Sequence, residues 1–433
     1  MDKVLEIKSE KTLSFSGLVN GYGDKIASVH LLLASTMMTN NLRIRNLAKC
    51  EDVQSLKAWL NKSLNFDFKS EDGYFETLVI DHNNKIDLTK ISHIRGSICL
   101  TSACMLKYGS VSFFSNVGGC NFTNRPIGKH LELLFAFGGN LNQVDQLFTF
   151  TLEKIPQQIE FDCSTNFGQS VGVTCHALIA SLIYNNTMIL NNCALEPAVQ
   201  TLVDLLRSVD NRKIVQTGRS IYLGPATKTE NAHKNIQVNV PYDYTIITTY
   251  VCAGIACGKA DIVFQDVHRI PLFMKKLLKN LGVFYENTEP GIRIRVNQKD
   301  LRHPGYLMCE PWPGLPTDVG PVVAAALCCF PGVTTIFDTV YDKRLSHVSI
   351  LDEMGYKISG IGQLTQISGK HNMIKKSLNV KVPDIRAGAA AIIGAVGRRG
   401  VAILENCQQI FRGYENIVND FQKLGISIEI KNS

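Results

Sequence analysis

No stretch of this chain approaches the ~20 consecutive apolar residues that a membrane-spanning helix needs. The longest apolar run, over 245–256, is broken by polar side chains. The N-terminal Met1-Asp2-Lys3-Val4-Leu5-Glu6 is charged and lacks the apolar core of a secretory signal, so a cytoplasmic protein is expected. None of the 13 cysteines is spaced as CxxC, so no zinc site is expected. Most stand in apolar runs such as Ala326-Leu327-Cys328-Cys329-Phe330, the usage of a small core residue in a reducing compartment. The net charge of +7 comes without a dense Lys/Arg run or a basic stripe interleaved with aromatics, which argues against a nucleic-acid partner. It suits an enzyme that handles phosphates and carboxylates, and equally a merely soluble surface. The spacing GxxxxGK[ST] is absent, which excludes a P-loop.

What the chain does have is repetition. An alternating apolar strand ending in Asn or Asp, then a loop, then an amphipathic helix, recurs six times. The strands start near Leu42, Ser110, Thr187, Ala260, Val333 and Gly400, at intervals of 67 to 77 residues. In the last four copies the amphipathic helix is plain, over 197–209, 270–281, 344–354 and 414–424. Gly282, Gly355 and Gly425 follow three of these helices, where glycine allows a left-handed C-cap. A second helix class, rich in alanine and apolar on nearly every face, precedes the strands at 26–35, 97–107, 174–183, 248–257, 318–329 and 387–396; such helices should be buried. Six units in 433 residues suggest two three-unit domains, with linear stacking as the alternative. The link between the halves is expected near 225–241, where 228–239 reads as polar and irregular. A two-domain enzyme draws on loops of both halves.

Four groups of residues could carry chemistry. The loop Gly118-Gly119-Cys120-Asn121 leads to Arg125-Pro126, and a loop thiol beside an arginine can be reactive; an incidental cysteine is the plainer reading. Lys25, after Gly23-Asp24 and before a buried helix, suits a phosphate or carboxylate, or is simply solvated. Thr317-Asp318 stands before another apolar helix, either as an N-cap or as a general base. Arg95, Arg344, Arg386 and Arg412 recur near helix starts, and arginine holds carboxylate and phosphate with paired hydrogen bonds.

Taken together, Ile94-Arg95-Gly96-Ser97, Gly118-Gly119-Cys120, Arg125-Pro126, Pro316-Thr317-Asp318 and Arg412-Gly413-Tyr414-Glu415 resemble the enolpyruvyl transferase family over essentially the whole chain. The likeness is closest to the members that act on UDP-N-acetylglucosamine in peptidoglycan biosynthesis. Gly23-Asp24-Lys25 is more like the shikimate-pathway members. The resemblance implies an α/β fold of two inside-out α/β barrel domains built from six βαβαββ-like repeats, one comprising 1–24 plus 241–433 and the other 25–240. It implies small-molecule substrates, phosphoenolpyruvate and an anionic nucleotide-linked acceptor, with no cofactor, metal, nucleic acid or membrane.

Carried over residue by residue, the resemblance makes Cys120 an acid, Asp318 the base for the acceptor hydroxyl, and Lys25, Arg125, Arg344, Arg386 and Arg412 a cationic cage for phosphoenolpyruvate. Arg95, Arg125, Pro126, Lys129, Ser170, Gly172 and Asp318 would meet the acceptor, with Asp52 and Asp384 in support. The set suits the reaction: a vinyl carbon is protonated while a hydroxyl attacks its neighbour, and fixed cations stabilise the anionic tetrahedral adduct. Three positions depart from the cell-wall pattern. Ile26 replaces an asparagine, Gly128 replaces an acid that reads the uracil base, and no lysine precedes Ser170-Val171-Gly172, where Gly168 stands. The phosphoenolpyruvate half is complete and the acceptor half is altered. UDP-N-acetylglucosamine held differently, another acceptor such as UMP, and a non-catalytic nucleotide-binding paralogue are the readings this leaves.

Overall fold

The computed structural model describes residues 3–9, 14–39, 41–64, 66–71, 74–79, 86–118, 126–209, 211–226, 236–369, 377–398 and 400–432. Leaving aside the undescribed 119–125, the chain divides into two compact units. One comprises the described residues of 3–22 and 242–432, the other those of 23–118 and 126–241.

Among the described residues each unit carries three sheets of three or four strands, and the second also a two-stranded hairpin, Ser164–Thr165 with Gly168–Gln169. In the first, Phe15–Asn20 runs parallel to Lys259–Gln265, Gly305–Cys309 to Gly332–Asp338, and Leu378–Lys381 to Gly400–Glu405. Antiparallel strands complete each sheet. The third sheet also takes Lys3–Ser9, which pairs with both Gly400–Glu405 and Ser427–Asn432, so it holds strands from both ends of the chain. The second unit repeats the plan around Leu42–Arg45 and Thr187–Asn191, with Ser110–Phe114 in a three-stranded sheet. All six repeat strands therefore begin within a residue of the expected positions. One expectation fails: 236–239 is not irregular but a strand, Ile236–Asn239, parallel to Leu42–Arg45. Its Ile-Gln-Val-Asn alternation is too short to stand out beside the polar residues before it.

The alanine-rich helices form the two cores. In the first unit Tyr244–Cys257, Gly320–Cys328 and Ile385–Gly397 pack on one another. In the second Lys25–Ser35 and Val171–Ala180 pack with the turn and helix at Arg95–Leu100 and Thr101–Tyr108. Every residue of Gly320–Cys328 is buried. Small side chains let such helices approach closely: a Cβ on Gly388 would come within 2.6 Å of Ile410 and 2.7 Å of Val382.

Four of the six inner helices are capped by a polar side chain. Asp24 accepts from the amide of Ala27, Ser170 from Val173, Asp243 from Thr245 and Ile246, and Asp384 from Arg386 and Ala387. The outer helices stop as expected: Gly282, Gly355 and Gly425 have φ of 76°, 89° and 101°. Among the described residues no helix is long and apolar enough to cross a membrane.

Candidate functional site

In the first unit, Asp318 lies just before the Gly320–Cys328 helix but does not cap it. Val319 occupies the N-cap position and offers no side-chain bond. The carboxylate instead bridges two arginines. Its Oδ1 lies 2.7 Å from Arg344 Nη1, and its Oδ2 accepts from Arg386 Nη2 at 2.9 Å and Nε at 3.1 Å. The arginine side chains are 4% and 13% exposed, whereas Asp318 keeps 31%. Burial works against both guanidinium charges, but Asp318 together with Tyr341 and Asp338 at Arg344, and with Tyr414 and Asp243 at Arg386, outweighs it and raises both pKa values. Thr317 does not cap the helix either: its hydroxyl donates to Asp338 Oδ2 at 2.5 Å and accepts from Arg344 at 3.0 Å.

Arg386 is aimed by its own helix. Asp384 caps that helix and accepts from the Arg386 amide at 2.9 Å, while the Ser346 hydroxyl donates to its other oxygen at 2.5 Å. At the far end Arg386 Nη1 donates to Tyr414 Oη at 3.1 Å, itself 2.8 Å from Thr249 Oγ1. Arg344 precedes the Ser346–Glu353 helix rather than starting it. Arg412 is the C-cap of the short Gln408–Phe411 helix, not a helix start, and donates to Gln409 at 3.1 Å. Arg344, Arg386, Asp318 and Asp384 thus form one connected network.

In the second unit, Lys25 is the first residue of its helix and pairs with Asp52 at 2.6 Å. Arg95 opens a 3-10 turn and donates to the Val117 carbonyl at 3.4 Å. Gly118 has to be glycine, since a Cβ there would stand 2.1 Å from the His93 carbonyl oxygen. Pro126 lies exposed ahead of the Gly128–Ala136 helix, and Lys129 within it pairs with Glu132 at 2.7 Å over the Phe161 ring. Ser170 caps the Val171–Ala180 helix, and Gly172 sits in its first turn. Gly168, which stands where the family carries lysine, has φ of 91° in a tight hairpin; a lysine there would be strained. Cys120 and Arg125 lie outside the described residues. Among the described residues no group of three or more His, Cys, Asp or Glu side chains could hold a metal ion.

The profile of EPSP synthase (3-phosphoshikimate 1-carboxyvinyltransferase) matches residues 10–421. The chain belongs to this enolpyruvyl transferase family. It is a transferase, with the family's α/β fold. It is 29% identical over 419 residues to UDP-N-acetylglucosamine 1-carboxyvinyltransferase of Pseudothermotoga lettingae, covering 96% of each chain. It is 26% identical to UDP-N-acetylglucosamine 1-carboxyvinyltransferase 2 of Bacillus subtilis, covering 96% of this chain and 94% of that one. Among solved structures, the enolpyruvyl transferase NikO from Streptomyces tendae superposes with a TM-score of 0.84 at 19% identity, covering 100% of this chain and 99% of that one. EPSP synthase from Acinetobacter baumannii gives 0.71 at 14%, covering 99% and 100%.

For this family member, several network residues were not singled out by sequence: Ser346, Asp338, Thr249 and the Tyr414 hydroxyl. Tyr414 stands in the Arg-Gly-Tyr-Glu stretch, so proximity to Arg412 was its available signal. The others act across 21 to 165 residues of chain, and no local pattern marks them.

Proposed function

We propose that this chain moves the enolpyruvyl group of phosphoenolpyruvate onto a hydroxyl of UDP-N-acetylglucosamine, releasing inorganic phosphate. The observation that carries the reading is the Asp318 carboxylate held between buried Arg344 and Arg386. Two buried guanidinium groups that share one carboxylate offer charge-assisted donors that the carboxylate or phosphate of the substrate can take over. When that anion takes over the arginines, Asp318 is released as a base.

In the proposed reaction the acceptor hydroxyl loses its proton to Asp318 as its oxygen bonds to C2 of phosphoenolpyruvate, while Cys120 protonates C3. The adduct keeps its phosphate and carboxylate, which Lys25, Arg125, Arg344, Arg386 and Arg412 neutralise. Loss of a C3 proton then expels phosphate and restores the vinyl group on the acceptor oxygen. Arg95, Pro126, Lys129, Ser170 and Gly172 serve the acceptor, while Asp52 and Asp384 orient Lys25 and Arg386. The near-full-length likeness to transferases named for UDP-N-acetylglucosamine supports that acceptor and a place in peptidoglycan biosynthesis, in the cytoplasm.

A second acceptor, UMP or a related nucleotide, is favoured by Gly128, which has no side chain with which to read a base. Phosphate release from phosphoenolpyruvate, assayed with UDP-N-acetylglucosamine and with UMP, decides between them. Release with neither would overturn both acceptor readings, and release with no nucleotide or sugar nucleotide at all would favour a nucleotide binder.

A further inference from the structure

Tyr414 is buried and has no part in the proposed reaction, yet its hydroxyl accepts from Arg386 Nη1 at 3.1 Å. The guanidinium carbon stands 5.7 Å over the centre of the same ring.

The protons around this hydroxyl run in one direction. A guanidinium can only donate, so the phenol oxygen accepts from Arg386. The phenol proton then needs an acceptor of its own, and Thr249 Oγ1 lies 2.8 Å away. Thr249, fully buried, sends its proton on to the Thr245 carbonyl at 2.7 Å, inside the Tyr244–Cys257 helix. Asp243 caps that helix and accepts from the Thr245 amide and hydroxyl. The chain of bonds therefore ends on a capped helix start rather than on solvent. Burial raises the phenol pKa, against the pull of Arg386 and Thr249, so the hydroxyl keeps its proton at neutral pH.

The backbone of Tyr414 is fixed from the other side. Its amide donates to the Ile410 carbonyl at 3.0 Å, in the turn that carries Arg412. A Cβ on Gly413 would stand 3.0 Å from Ile385 Cγ2, so this turn is pressed against the first residue of the Ile385–Gly397 helix that bears Arg386. One side chain thus joins the helix of Arg386, the turn of Arg412 and the Tyr244–Cys257 helix.

These bonds decide which edge of the guanidinium is offered. Nη1 is taken by Tyr414, while Nε and Nη2 point at Asp318. A planar fork held at one corner keeps the same edge forward when Asp318 gives way to the substrate anion.

We propose that Tyr414 is a positioning residue of the phosphoenolpyruvate site: its hydroxyl, anchored on Thr249, holds Arg386 by Nη1 and keeps the Nε–Nη2 edge turned to the anion of phosphoenolpyruvate. This rests on the reading that Arg386 binds phosphoenolpyruvate. A neutral hydroxyl suits the task, because it holds the arginine without neutralising the charge that the substrate needs.

The test is a double-mutant cycle on the full chain, read as phosphate release and as calorimetric binding of phosphoenolpyruvate. Tyr414→Phe keeps the ring and loses the hydroxyl. It should raise the KM and the dissociation constant for phosphoenolpyruvate about tenfold and leave the KM for the acceptor unchanged. In an Arg386→Lys background, where Nη1 no longer exists, the same change should have little further effect; a merely structural role would cost as much in both backgrounds. Thr249→Val removes the anchor and should give a smaller loss of the same kind, while Thr249→Ser keeps wild-type values; this pair answers the question even where Tyr414→Phe folds poorly. Unchanged phosphoenolpyruvate binding in Tyr414→Phe and Thr249→Val, equal losses in both backgrounds, an equal rise in the acceptor KM, or no binding of phosphoenolpyruvate to wild type would each overturn the proposal. Phosphoenolpyruvate binding that depends on the Tyr414 hydroxyl, without phosphate release by wild type, would instead overturn the transferase reading and leave this one standing.

Discussion

Arg386 grips Asp318 through two nitrogens on one carboxylate oxygen, Nη2 at 2.9 Å and Nε at 3.1 Å, and the other oxygen belongs to Arg344. A carboxylate so placed is poorly available as a base until something else occupies the guanidinium groups. Binding of an anionic substrate and release of the base are thereby coupled through one residue.

That coupling predicts a split in the kinetics of Asp318→Asn. The substitution removes the anion that partly neutralises Arg344 and Arg386, so the KM for phosphoenolpyruvate should stay level or fall. Turnover should drop about a hundredfold or more, because the acceptor hydroxyl has lost its base. A raised KM with intact turnover would place Asp318 in substrate binding alone.

Much of the fold was legible because its signals are local. Period-two alternation marked the six repeat strands, and Gly282, Gly355 and Gly425 marked helix ends by a backbone angle that favours glycine. The solvent-facing Pro197–Val209 helix matches its expected limits, since amphipathic spacing fixes both face and length. Helices without an apolar stripe were harder to bound: the one read as 248–257 starts at Tyr244, where the Asp243 cap rather than hydropathy sets the start. The site was legible as a set of residue types, not as partners. Whether Thr317 and Asp318 cap a helix or hold Arg344 depends on a contact 27 residues away, and the Tyr414–Thr249 bond spans 165.

Thiol chemistry should single out Cys120. Of the twelve described cysteines, eleven are buried and only Cys257 is partly exposed. Burial raises the thiol pKa of Cys99 and Cys257 to about 12, far from the thiolate needed for reaction. An epoxide phosphonate shaped like phosphoenolpyruvate should therefore leave a single adduct near neutral pH, located on Cys120 by peptide mass spectrometry. An adduct elsewhere would remove Cys120 from the proposed mechanism.

The buried histidines make stability pH-dependent. Burial lowers His30 to about 4 and His130 and His347 to about 3, and moves His176 in the same direction. Unfolded, each would take up a proton near pH 6.5, so between 6.5 and the folded values the unfolded chain binds more protons and stability falls with falling pH. Each such group costs about 1.4 kcal/mol per pH unit in that window, or roughly 2 kcal/mol by pH 5. Buried Asp420 works the other way, since burial raises its pKa and folding favours its protonated form. Urea unfolding at pH 7.5, 6.5 and 5 should show a plateau and then a decline; a midpoint constant down to pH 5 would show that these rings are solvated or charged in the fold.

Base selection should respond to a single substitution at the start of the Gly128–Ala136 helix. Gly128 is the first helical residue, and a Cβ added there meets nothing within 4 Å, so an acid fits without displacing a neighbour. A carboxylate in the first turn also favours the helix, by about 0.3–1 kcal/mol, so Gly128→Asp should fold at least as well as wild type. The resemblance places there the acid that reads uracil. Restoring it supplies an acceptor for the ring N–H of a uridine nucleotide, which cytidine lacks. A site holding a buried acceptor rejects a ligand that leaves it unpaired. Wild type should therefore bind UMP and CMP with similar affinity, and Gly128→Asp should favour UMP by about tenfold, read as the ratio of the two dissociation constants. If wild type already discriminates strongly and the variant changes nothing, the base is read by another part of the chain, and the case for an altered acceptor site loses its main support.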